Sequence, residues 1–482
     1  MTEGPSFKKK VISGFIWIGT GSALGQLLTW VSTLIIIRLL NPSDYGLMAM
    51  ATTFISLVTT VGELGIGASI IQAENITERE VRIISGMVLL TSIFGMSVCY
   101  LSSPWIAAFY SEPRLVSILR VMTVVFVFLA LYAIPQSLLT REMNFAVKTK
   151  VDLLAKVGGS VITLLCALKG LEVWALVFGF ISIHVIKLIG FNLVKPGILK
   201  PLFCYGEAKK FLKYGAMVTS SRMLYTLYSE ADKIIVGRVL GNNLLGIYSV
   251  ATNLASIPAD KVLPIISEVM FTSYSRIQNE TERIRKNLLR TTRAIAYSGF
   301  PLFFGMAAVA PEGIPMLLGA RWTDLVVPFQ LFCLVMPLRA LSHVLSPAIF
   351  AMGRPDIHVG NGIISLFGMS IAIIIGAKFG LKGVCLAWII VFPFIFLINS
   401  IRCLKIVGIS LSEFFSEMKF PLFATLLMVG IISITRASIH LTSTAYLFSI
   451  MIVLGTVCYI LLLCIFKKDE IIRIKELMKT IK

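Results

Sequence analysis

Apolar runs of about twenty residues follow one another from end to end of this chain, separated only by short polar breaks. That length crosses the roughly 30 Å hydrocarbon core of a bilayer at 1.5 Å per helical residue. Backbone in lipid must satisfy its own hydrogen bonds, so consecutive runs of this kind fold as membrane helices. The composition agrees: 57% of the residues are hydrophobic and 14% charged, with a mean hydropathy of +0.88, against about 25% charged in a soluble domain.

The sequence predicts an all-α polytopic membrane protein of fourteen spans, near 11–37, 44–72, 82–108, 115–139, 148–168, 173–193, 212–237, 245–273, 288–310, 325–350, 359–379, 383–402, 418–435 and 443–466. The connections between them are too short to be soluble domains. Lys8, Lys9 and Lys10 precede the first span as the basic segment of a signal sequence would. That span is too long for a signal's apolar core, so it is read as retained.

The net charge of +19 would suit a nucleic-acid partner, but its placement argues otherwise. An even number of spans puts both termini on one side, and Lys and Arg crowd the loops of that side. The other side carries only Arg38, Arg114, Lys169, Arg238, Arg321, Lys378, Lys382 and Arg436. Positive charge stays inside, so both termini are expected in the cytoplasm, with the basic tail 467–482 against anionic lipid headgroups. The eight cysteines are scattered, none in a CxxC pair and none at ligand spacing from a histidine. They read as small apolar packers, with no metal or cofactor implied.

A shift of 200 residues brings the first hairpin onto spans seven and eight without a gap. Leu24 meets Leu224, Leu27 Leu227, Ile35 Ile235, Arg38 Arg238, Leu40 Leu240, Gly46 Gly246, Ala51 Ala251, Thr52 Thr252 and Ser56 Ser256. A fainter echo joins 135–141 to 347–354. The expected organisation is two six-helix lobes, 1–193 and 212–402, joined by a cytoplasmic linker 194–211 and followed by two C-terminal helices within 403–466. An even number of helices per lobe gives both the same orientation, related by a pseudo-two-fold along the membrane normal with substrate between them. Asn41-Pro42-Ser43-Asp44 reads as a helix start. Gly46 and Gly246 read as points of close helix approach, and Arg38 and Arg238 as side chains reaching the outer headgroups.

Four segments carry a family resemblance: Arg38-Leu-Leu-Asn-Pro-Ser-Asp-Tyr-Gly46, Gly62-Glu-Leu-Gly-Ile-Gly-Ala-Ser-Ile-Ile-Gln72, Pro135-Gln-Ser-Leu-Leu-Thr-Arg141 and Ala231-Asp-Lys-Ile-Ile-Val-Gly-Arg-Val-Leu-Gly241. In these the chain resembles bacterial polysaccharide flippases, the colanic-acid and exopolysaccharide branch of the multidrug/oligosaccharidyl-lipid/polysaccharide exporter superfamily. The resemblance covers about residues 1–410. It implies two lobes around a central cavity, alternating access, and an undecaprenyl-diphosphate-linked oligosaccharide moved from the inner to the outer leaflet of the bacterial inner membrane. Membrane lipids and a polysaccharide polymerase are the implied neighbours.

Ionisable groups inside spans are costly and therefore functional candidates. Arg120, Lys187 and Glu268 lie near span ends, where snorkelling suffices. Arg222, Asp260, Lys261 and Arg339 lie deeper, and Lys156 is intermediate. Arg222, Glu230, Asp232 and Lys233 correspond in the first repeat to Ser22, Trp30, Ser32 and Thr33, and Asp260 and Lys261 to Thr60 and Val61. Charge confined to one copy is not needed to build the hairpin, so it points to substrate or coupling. Arg222, Tyr225, Ser229 and Lys233 share a helix face that suits a diphosphate beside sugars, through guanidinium forks and an aromatic ring.

The expected substrate set is Arg222, Tyr225, Lys233, Lys261 and Arg339, with His343 one turn from Arg339. Asp232, Glu230, Asp260 and Glu63 are the candidates for coupling or gating. Two readings stay open for Arg222, substrate contact or an ion pair with Asp260. Structural pairing with Lys233 is the alternative for Asp232 and Glu230. Glu63 sits among Gly62, Gly65 and Gly67, which serve either a gate or plain packing.

Two other functions compete. A cation-coupled multidrug exporter of the same superfamily is expected to keep an acid in span one, where this chain has Gln26. A membrane enzyme such as a polysaccharide polymerase needs a sizeable outer loop or a nucleophile and base, and neither is evident. The chain is therefore read as a non-enzymatic transporter.

Overall fold

The computed structural model describes residues 25, 29–62, 70, 76–196, 201–278, 280–438 and 443–466. Among them there is no strand. The helices are α1 (Thr29–Leu39), α2 (Pro42–Gly62), α3 (Glu78–Tyr110), α4 (Arg114–Met122), α5 (Val124–Arg141), α6 (Phe145–Leu168), α7 (Val173–Val194), α8 (Tyr205–Arg276), α9 (Thr281–Leu318), α10 (Val326–Ala351), α11 (Pro355–Ala377), α12 (Gly380–Val407), α13 (Leu411–Ser438) and α14 (Thr444–Phe466). Eleven helical stretches of the described residues are long and apolar enough to cross a membrane. This is a multi-pass membrane protein.

The chain divides into two compact units, Met1–Gly246 and Ile247–Lys482. The division falls inside α8, which joins the segments expected as spans seven and eight. Gly241 breaks this 72-residue helix with φ 80° and ψ 179°, a backbone state that essentially only glycine adopts. The repeat-equivalent break lies at Asn41, where Pro42 opens α2 and Asp44 Oδ2 accepts the Asn41 N–H at 3.0 Å. One copy turns the chain with proline and a capping carboxylate, the other with glycine.

These two breaks meet within the first unit. The Gly46 Cα faces the carbonyl of Asn242, and the Gly246 Cα faces the carbonyl of Pro42. Asn242 is the repeat partner of Pro42, so the contact is reciprocal, and a methyl group at either glycine would lie far inside the opposing oxygen's van der Waals surface. Nearby, Asn242 Nδ2 donates to Glu112 Oε2 at 2.9 Å and Arg238 donates to Ser111 Oγ at 3.3 Å. Arg238, expected to reach for headgroups, lies over the Phe109 ring, 5.4 Å from its centroid.

In the same unit α3 starts with a capping box of Thr77 and Glu80. Ile36 and Leu40 pack against Ala167 and Ala175, bringing α1 to α6 and α7.

In the second unit, α9 runs 38 residues, about 57 Å by helix rise and far longer than a bilayer core. The membrane span expected near 288–310 lies within it, and helix begins earlier, at Thr281, where Arg283–Glu280 and Arg285–Glu282 pairs support a turn with little apolar content. This projecting end holds α13 through Arg285–Glu413 and Arg293–Glu417. Arg436, at the far end of α13, forks onto Glu312 of α9 with both bonds at 2.8 Å. Between these clamps Ala308, Ala424, Met428, Ile432, Met451 and Tyr459 form one core, which fixes α13 and α14 to α9. Glu63, the leading part of the first expected span with Gln26, and the tail 467–482 lie outside the described residues.

Candidate translocation site

The charged arm of α8 from Arg222 to Leu240 belongs to the first unit and runs beside α2. Arg222 and Tyr225 stand on its exposed side, Tyr225 with 63% of its surface open. One turn on, the hydroxyls of Thr226 and Thr60 of α2 are 3.1 Å apart. Glu230 Oε2 accepts from the buried Thr53 hydroxyl at 2.8 Å and from Lys233 Nζ at 2.9 Å. The acid that meets the Lys233 ammonium is thus Glu230. Asp232 Oδ1 accepts the Lys233 backbone N–H at 2.7 Å. The Tyr110 ring packs edge-on against Phe54, and its buried hydroxyl has no hydrogen-bond partner.

This seam is a graded strip. It runs from an exposed cation and aromatic ring, through paired hydroxyls, to a half-buried ion pair pinned across two helices. Glu230→Ala removes the acceptor for both Thr53 and Lys233. The expected cost is about 1.5–3 kcal/mol, the usual worth of hydrogen bonds to a charged group. Thermal unfolding of the solubilised protein measures it, and the Glu230→Ala/Lys233→Ala double variant should recover part of the loss. Additive losses would show that the pair is not coupled.

The second unit carries the other expected residues. Asp260 and Lys261 are exposed, and Asp260 Oδ2 accepts from Ser256 Oγ, one turn away, at 2.6 Å. Arg339 lies over Trp388, its guanidinium carbon 5.0 Å from the ring centroid, a cation–π arrangement that orients a guanidinium without neutralising it. Trp388 Nε1 donates to Tyr248 Oη at 3.0 Å, and Phe332 packs edge-on against Tyr248. Trp388 and Tyr248 are buried and carried no sequence signal beyond aromaticity; neither did Thr53 nor Tyr110 beyond polarity in an apolar run.

Among the residues expected to snorkel, Arg120 donates to Ser103 Oγ at 3.3 Å and lies over Tyr100, while Lys187 reaches across to Asp152 at 3.0 Å. Glu268 is exposed.

Comparison with known proteins gives one consistent picture. Over 466 residues the chain is 26% identical to the teichuronic acid biosynthesis protein TuaB of Bacillus subtilis, covering 95% of this chain and 96% of that one. It is 25% identical over 396 residues to the lipopolysaccharide biosynthesis protein WzxC of Escherichia coli, covering 80% and 79%. Among solved structures, the lipid II flippase MurJ in its inward closed conformation superposes with a TM-score of 0.77 at 16% identity, over 95% of this chain and 100% of that one. An inward-facing multidrug resistance transporter of the MATE family follows with 0.62 at 15% identity, over 80% and 96%. These two share the fold. Residues 35–327 match the profile of the polysaccharide biosynthesis protein family, and the chain belongs to that family.

Proposed function

We propose that this protein flips a lipid-linked oligosaccharide repeat unit across a bacterial inner membrane for polysaccharide biosynthesis, and that the carrier is an undecaprenyl diphosphate. The observation that carries this reading is the match of residues 35–327 to a polysaccharide biosynthesis family. Two features support it. Relatives named for teichuronic acid and lipopolysaccharide biosynthesis align along most of the chain, and a lipid II flippase shares its fold. The mechanism is alternating access by two six-helix lobes, with fourteen spans in all and both termini cytoplasmic.

A diphosphate cannot cross hydrocarbon bare, since an unpaired buried anion is prohibitive. In this reading Arg222 and Arg339 grip its oxygens as forks, Tyr225 stacks on a sugar, and Lys233 and Lys261 add positive potential. Outward passage of the anion follows the inside-negative membrane potential, by about 2.3 kcal/mol per charge per 100 mV. Return of the emptied, cationic site is favoured by the same potential. Asp232, Glu230, Asp260 and Glu63 are then the acids that time the return.

Loss of the gene should trap lipid-linked repeat units in the cytoplasmic leaflet, and their continued appearance outside would end the flippase reading. Arg222→Ala should abolish polysaccharide export with protein still in the membrane, and Arg222→Lys should keep part of it. Normal export by Arg222→Ala would instead assign this arginine to a structural pair such as the one expected with Asp260.

A further inference from the structure

Three consecutive helices of the first unit bring four titratable side chains together, away from the strip on α8. Tyr132 of α5 is buried, and its hydroxyl lies 3.0 Å from His184 Nδ1 of α7, the two rings stacked at 6.1 Å. Lys187, one turn along α7, has its Nζ 3.0 Å from Asp152 Oδ1 of α6 and 6.0 Å from the Tyr132 ring centroid. Phe180 packs edge-on against His184, and Phe191 lies tilted against Tyr132. Asp152 stands seven residues from the start of α6 and Lys187 seven from the end of α7, each about 10 Å from its helix end by the rise per residue.

The packing of these helices does not need the charges. Gly159 and Gly179 already let α6 and α7 interlock, with Ile183 and Thr163 filling the notches, which is how small residues join membrane helices. A half-buried ion pair adds a desolvation cost to that joint, and an intramembrane pair beside a histidine is by default a functional site.

We propose that Tyr132, Asp152, His184 and Lys187 form a proton-binding site that couples proton uptake to movement of α7. With His184 neutral, the cluster holds one negative and one positive charge. A proton from the aqueous side adds to whichever ring nitrogen is bare, Tyr132 turning its hydroxyl from donor to acceptor when that nitrogen is Nδ1. Two cations then stand one turn apart on α7 with a single carboxylate to share. Lys148 and Lys156 lie one turn on either side of Asp152 on α6. α5 contributes Tyr132. α2 and α4 meet α7 near Val173, around Asp44, Arg114 and Glu172. The excess charge is relieved when one cation swings out, which shifts α7 against α6. Release of the proton restores the resting arrangement.

The proposal rests on the transporter reading, but its test needs no substrate. Spin labels are placed on Leu165→Cys of α6 and Leu193→Cys of α7, both exposed, in a background with the native cysteines replaced by alanine. The full-length protein is reconstituted in phosphatidylethanolamine–phosphatidylglycerol liposomes, and the label separation is read by pulsed electron resonance at about pH 4 and about pH 8, a span wide enough for a histidine desolvated beside a lysine. The distance distribution should show two populations, whose ratio changes by about threefold or more between these conditions. His184→Gln and Asp152→Asn should abolish the change, and Tyr132→Phe should diminish it. His358→Gln should retain it. Each variant is compared only as monodisperse, helical protein. A parent distribution independent of pH, or an unchanged response in His184→Gln, would overturn the proton site and leave the flippase reading standing. Failure to trap lipid-linked repeats on gene loss would do the reverse.

Discussion

Replacing Gly46 by leucine is expected to abolish polysaccharide export while leaving the protein inserted and helical. The Gly46 Cα faces the Asn242 carbonyl so closely that no side chain fits. The turn at 241–246 must therefore move away from the start of α2. Forcing bulk into a packed contact costs about 1–3 kcal/mol or more, and at 1.4 kcal/mol per decade the upper figure is on the order of a hundredfold in population of the closed contact. Gly246→Leu should behave alike, because the second half of the contact mirrors the first through Pro42. The smaller Gly46→Ala and Gly246→Ala should each give a partial loss. Yield of a cross-link between Asn41→Cys and Asn243→Cys reads the contact directly. Full export by Gly46→Leu, or an undiminished cross-link, would mean that the contact is incidental to the transport cycle.

The second large effect is expected at Arg436. Arg436→Ala leaves Glu312 buried, with 11% of its side chain exposed, and removes its bidentate partner. Breaking a buried pair from one side costs about 3–5 kcal/mol, and the partly exposed guanidinium places this one near 3 kcal/mol. Loss of the pair should lower the unfolding temperature and open the α13–α14 segment to protease before the rest of the second unit. Arg436→Lys should recover only part, since an ammonium cannot fork, whereas the exchanged pair Glu312→Arg/Arg436→Glu should recover most. Equal protease sensitivity in parent and Arg436→Ala would show that the core of Met428, Ile432 and Met451 holds these helices unaided.

Hydropathy reports which residues prefer lipid, and the long helices were legible for that reason. The two turns were legible because each demands residues of special geometry: Asn41-Pro42 at the start of α2, and Gly241 in α8, with Gly46 and Gly246 at the contact. What stayed hidden is the rotation of each helix about its axis. The i,i+3 pairing of Glu230 with Lys233 is visible along one helix, but no such pattern shows that Thr53 reaches Glu230, that Arg339 stacks on a tryptophan 49 positions away, or that Lys187 finds Asp152 instead of headgroups. The charged start of α9, ahead of its membrane span, carries no apolar signal. It is helical through side-chain pairs and its grip on α13, not through apolar content.

The reciprocal contact of Gly46 and Gly246 has a kinetic consequence. It is made of backbone alone, each Cα–H set against a carbonyl oxygen, and such contacts contribute about 0.5–1 kcal/mol apiece. The glycine–carbonyl contact itself involves no charged group. Any separation of the two turns should therefore cost little energy at this contact and depend only weakly on ionic strength there. A change in salt that slows export should act through the protein's charged contacts, such as the strip on α8, and not through this glycine pair.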